Sequence, residues 1–143
     1  MSPELEKKIA QFVERHGEDL LRDFILERED SEKVLTIICD RTMHEIPQDV
    51  LVGDVFDFSH GSLDTSSDKS LTRELIDKLA VLQKTLKSNH WKSVRLIISG
   101  HAILAPQIKM LVYRILHLET EDFGYFASVG YRRIRINFRT DLS

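Results

Sequence analysis

Ser99, Gly100 and His101 stand in the stretch "VRLIISGHAILAPQIKMLVYRIL", where an apolar run turns into an apolar periodicity of helical spacing. A serine nucleophile needs a base within hydrogen-bond reach and a third group to orient that base. Asp40, at the end of the apolar run "KVLTIICD", could complete such a set with Ser99 and His101. The run "IISGHA" nevertheless lacks the second glycine and the spacing of a nucleophile elbow. Neither a G-x-x-x-x-G-K loop nor a G-x-G-x-x-G turn follows either apolar run, so a phosphate loop is not expected. His44, His60, Asp54, Asp57 and Asp64 are of metal-ligating types, but Asp54 and Asp57 would point to opposite faces of one strand. Their spacing specifies no metal site, and no cofactor is implied.

A second pattern sits near the end of the chain. In "YRRIRINFR" the alternation places Ile134, Ile136 and Phe138 on one face of a strand, with Arg133, Arg135, Asn137 and Arg139 on the other. Three arginines in a row suit phosphate or carboxylate, or a protein partner. The same stripe could instead pair with the acidic face of the N-terminal helix, or keep an edge strand soluble.

The elements that must position these residues follow from periodicity. Ser2 can cap a helix with Pro3 in its first turn, carrying Leu5, Ile9, Phe12, His16, Leu20 and Phe24 on one face, with a possible break at Gly17. Val34 to Cys39 is short, branched and bounded by charge, as a buried strand is. "QDVLVGDVFDFSHG" supplies a second strand with Phe56 and Phe58 on one face, Val55 on the other and a bulge at Gly53. Residues 59–70 form a long polar loop, in which His60, Gly61 and Ser62 read as loop chemistry. Ser70 then caps a helix striped by Leu71, Leu75, Leu79, Leu82 and Leu86. Pro106 is tolerable only near a first turn, so the next helix starts at about Ala102 to Ala105. Ser99, Gly100 and His101 thus lie at a strand's carboxyl end beside a helix N-terminus, where open α/β sheets bind ligands and free N–H groups favour anions. A plain turn, with Gly100 giving backbone freedom and His101 a cap, is the alternative. Tyr125 to Ser128 and Tyr131 to Arg139 would be the two strands of a closing hairpin.

Helices alternating with apolar strands argue for an α/β sandwich with a mostly parallel centre and an antiparallel C-terminal edge. The 143 residues suffice to bury roughly two-thirds of the unfolded surface. Residues 1–30 are expected to be an amphipathic helix and 31–143 a single domain. A net charge of −3 gives no global attraction to duplex nucleic acid or to anionic membrane. Cys39, the single cysteine, excludes an internal disulfide and a cysteine-based zinc cluster. No apolar run approaches the roughly 20 residues of a membrane span, and "MSPELEKK" lacks the order of a signal peptide, so a cytoplasmic setting is expected.

The strand, loop and helix that precede "SVRLIISGHAILAPQIKMLVYRIL", the polar gap after it and then "GYFASVGYRRIRINF" resemble the second half of a SAVED domain, a relative of the CARF sensor domains. The resemblance spans roughly residues 34 to 139 and rests on pattern. It implies a Rossmann-like three-layer module that binds a cyclic oligonucleotide in bacterial antiviral defence without transforming it, signalling through an effector partner or by self-association. Only one such half is present, so a homo-oligomer is expected, with a two-fold interface placing two copies of the loops around one ring. The implied ligand contacts are Asp40, Arg41, Thr42, Ser99, Gly100 and His101, with His60 and Ser62 as a secondary set. A protein-binding module, such as an immunity protein or antitoxin acting through its charged surfaces, is the competing expectation. A small hydrolase built on Ser99 and His101 ranks last.

Overall fold

The computed structural model describes residues 2–22, 32–41, 44–61, 63–133 and 135–142. It divides into two compact units, Met1–Glu32 and Lys33–Ser143. In the first, α1 (Pro3–His16) begins where the Ser2 hydroxyl accepts the Leu5 N–H at 3.2 Å. Glu4 and Glu6 in the first turn and Arg15 in the last suit the helix dipole, and Gly17 ends the helix at φ 89°. None of its residues is buried; Leu5 and Ile9 on its apolar stripe are exposed. Phe24 lies outside the described residues.

The second unit contains β1 (Val34–Asp40), β2 (Asp54–Ser59), α2 (Asp68–Lys87), β3 (Ser93–Ile97), α3 (Leu104–Leu116), β4 (Glu121–Phe126), β5 (Gly130–Arg133) and the short α4 (Phe138–Asp141). The five strands form one sheet in the order β2-β1-β3-β4-β5, parallel except for the antiparallel β4–β5 hairpin. This is the expected α/β, Rossmann-like architecture.

Alternation along β1 explains both layers of the core. Leu35, Ile37 and Cys39 pack with Leu75, Leu82 and Leu86 of α2 and with Leu104, Ile108 and Val112 of α3. Ile38 faces the other way and meets Ile97, Tyr131, and Ile46 and Val50 from the β1–β2 connection. The handedness of parallel crossovers dictates this arrangement. The chain moves one way across the sheet from β2 to β3 and from β3 to β4, so both helices cover one face. It moves the opposite way from β1 to β2, so that connection covers the other. Among the described residues no helix is long and apolar enough to cross a membrane.

Three local expectations shift. Ser67, not Ser70, caps α2: Ser67 is extended and its hydroxyl accepts the Ser70 N–H at 3.1 Å, which makes Ser70 the third helical residue. β4 starts inside the polar gap, at Glu121, because its charges pair across the sheet and with α3. β5 ends at Arg133, and the Asn137 side chain then accepts the N–H groups of Arg139 and Thr140 to start α4. The alternating arginine stripe therefore does not run on to Arg139. Ile134 is outside the described residues, while Ile136 and Phe138 are exposed.

Gly53 precedes β2 at φ +73°, and a Cβ there would lie 2.1 Å from the Val34 carbonyl oxygen. It marks a close backbone approach at the start of the strand. Gly53→Ala is expected to destabilise the unit by more than about 2 kcal/mol, read as a lower urea midpoint at unchanged m-value.

Candidate functional site

The parallel strands end along one edge, and the connections leaving β1 and β3 depart to opposite faces there. Such a switch point opens a crevice between the two strand ends. Asp40, Ser99 and Gly100 stand at this switch point. The Ser99 hydroxyl donates to the Asp40 carbonyl oxygen at 2.7 Å and accepts the Asp40 N–H at 3.0 Å, clasping the two strand ends together. Gly100 has φ +74°, and a Cβ on it would stand 2.6 Å from the Asp40 Cβ. Only glycine allows the turn to close over the buried Asp40 side chain.

His101 caps the turn, as one of the two sequence readings expected. Its Nδ1 accepts the Ile103 N–H at 3.1 Å and its carbonyl accepts the Leu104 N–H at 3.1 Å. With those donors taken and Pro106 lacking one, the start of α3 offers fewer free N–H groups to an anion than the sequence suggests. The hydroxyl of Ser99 and the Nδ1 of His101 thus bond to main-chain groups, not to each other, and the nucleophile-and-base pair does not assemble.

At the same edge, Asp57 stands between Arg41 and His60. Arg41 Nε donates to Asp57 Oδ1 at 2.7 Å, and His60 Nε2 lies 3.7 Å from Asp57 Oδ2. The Arg41 N–H also donates to the Ser59 carbonyl at 3.2 Å, which holds this cluster to the end of β2. Thr42 and Ser62 lie outside the described residues. Among the described residues no three His, Cys, Asp or Glu side chains are grouped to hold a metal ion.

Sequence reasoning missed a third feature of the same edge. The His44 and Tyr125 rings stack with centroids 3.9 Å apart and planes 13° from parallel, and Tyr131 meets Tyr125 edge-on at 5.4 Å. Tyr125 and Phe126 are 43% and 41% exposed. The Tyr131 hydroxyl is buried with no hydrogen-bond partner among the described residues, and burial, with Tyr125 and Cys39 nearby, pushes its pKa up. A buried unpaired phenol is costly. The available signal was the aromatic density of "GYFASVGY" at a hairpin turn.

Of the remaining predicted residues, Arg133 pairs with Glu121 at 3.6 Å, while Arg135 and Arg139 follow the end of β5. Arg133 and Arg135 line a separate groove at the opposite end of β4. They do not join Asp40 and Ser99. Comparisons with protein-family models, with curated proteins and with solved structures gave no match.

Two outcomes follow from this geometry. Ser99→Ala is expected to cost about 2 kcal/mol, because both main-chain groups of Asp40 lose their Ser99 partner; equilibrium urea unfolding measures it. Burial pushes the Cys39 thiol up from 9.0 to about 11, so the folded chain holds that proton after the unfolded chain has released it. The resulting stability is present below pH 9.0 and is lost as pH rises to about 11. Cys39→Ala should flatten this part of the alkaline limb in urea titrations across that range.

Proposed function

We propose that the Lys33–Ser143 unit is a non-catalytic ligand-sensing module that binds a cyclic oligonucleotide at the carboxyl edge of its sheet. The observation that carries this reading is the stacked His44–Tyr125 pair at the carboxyl edge of the sheet, with the Tyr131 ring edge-on to Tyr125. Nucleobases splayed from a backbone stack on exposed aromatic rings, and His44 and Tyr125 are exposed. Arg41, His60 and His101 supply local positive or donor groups, which the chain's net charge of −3 requires if phosphates are to be met at all. Ser99 and Gly100 hold Asp40 at the switch point.

Two copies around one ring would double each contact, so self-association accompanies binding in this reading. A regulatory role in bacterial antiviral defence, through an effector partner, agrees with the SAVED-like pattern of residues 34 to 139. The commitment of Ser99 and His101 to main-chain hydrogen bonds supports binding without turnover.

Native mass spectrometry with cyclic di-, tri- and tetranucleotides tests the proposal. One ring retained per two chains is expected, with Tyr125→Ala weakening retention at least tenfold, the value of about one lost stacking contact. His101→Glu should also weaken it, since the exposed imidazole is replaced by a like charge to phosphate. A chain that ignores every ring would overturn the proposal and turn attention to a protein partner.

A further inference from the structure

At the other end of β4, a groove of about 730 Å³ opens between α3, the start of β4 and the segment after β5. Glu121 at its base lies four residues before Tyr125, about 13 Å along the strand, so this groove is separate from the carboxyl edge. Its volume is in the range of small-molecule sites. Met110, Tyr113, Ile136 and Phe138 line it, all between 57% and 72% exposed.

The charges of the lining sort into pairs and a remainder. Glu121 is held by Arg95 at 3.8 Å and Arg133 at 3.6 Å. Asp122 is held by Lys109 and by the Thr120 hydroxyl at 2.6 Å. Among the described residues Arg135 and Glu119 have no ion-pair partner. Among the described residues the groove thus presents the Arg135 cation, the Glu119 carboxylate and an apolar, ring-bearing wall.

We propose that this groove binds a free α-amino acid with a large apolar or aromatic side chain. Arg135 takes the carboxylate, Glu119 takes the ammonium, and the side chain lies against Met110, Tyr113, Ile136 and Phe138. A zwitterion uses both unpaired charges, whereas a polyanion meets Glu119, Glu121 and Asp122 and gains only one free cation. The two sheet ends therefore select ligands of opposite character, one polyanionic and one net neutral.

The test uses the intact chain labelled at its methionine methyl groups, with the Met110 signal identified by Met110→Leu. L-Phenylalanine, 3-phenylpropionate and phenethylamine are titrated in turn. Phenylalanine should shift the Met110 signal saturably and bind roughly tenfold more tightly than either compound lacking one head group, each charged contact being worth about that factor. Arg135→Gln should weaken phenylalanine and phenylpropionate but leave phenethylamine unchanged, and Glu119→Gln should do the reverse. Both side chains are exposed, so the variants' spectra without ligand should match the parent apart from local shifts. An unmoved Met110 signal up to the solubility limit of phenylalanine overturns the proposal. So does equal binding of the three compounds, or variant effects that do not divide by head group.

Discussion

β1 has almost no water on either face. From Leu35 to Asp40 every residue is buried, with α2 and α3 against one side and the β1–β2 connection against the other. A strand in that position must satisfy all its main-chain groups through neighbours, and β2 and β3 flank it in parallel for that reason. The crossovers that leave β1 and its neighbour β3 then depart to opposite faces. That divergence makes the end of β1 a switch point, so the most buried strand of the unit also positions its candidate site.

The groups at the crevice divide between holding the fold and facing outward. Ser99 bonds to both main-chain groups of Asp40, and Gly100 closes over the Asp40 side chain. A hydroxyl held between two main-chain groups is a clasp, because attack on a substrate would require breaking the contacts that join β1 to the start of α3. The outward-facing surface is aromatic, built from His44 and Tyr125, with the Tyr131 phenol beneath them. Its exposed groups are aromatic faces, whose chemistry is stacking.

At the far end of β4 the balance is different. There the carboxylates of Glu121 and Asp122 draw Arg95, Arg133 and Lys109 into a network that ties β3, β4, β5 and α3 together. Arg95 also lies over the Phe123 ring, 5.1 Å from its centroid, so part of that network covers apolar surface as well as neutralising charge. Half-exposed pairs of this kind add little stability individually but fix which side chains remain free.

Local chemistry made much of this legible. The heptad-like leucines of α2, the branched run of β1, the proline that confines the start of α3 and the capping Ser2 each act within a few residues, so sequence spacing alone determined those elements and the α/β class. Gly100 and His101 were also readable as a turn and its cap. The tertiary structure decided what meets across the sheet: Ser99 and Asp40 touch although 59 residues separate them, and His44 finds Tyr125 only because β1 and β4 flank the same strand. The arginine alternation misled because strand periodicity says which face a side chain takes but not where pairing stops. Asn137 ended the strand pattern through main-chain hydrogen bonds of its own. Spacing along a chain encodes local geometry; strand order, and hence the composition of each sheet end, depends on long-range packing and crossover handedness, which no local pattern carries.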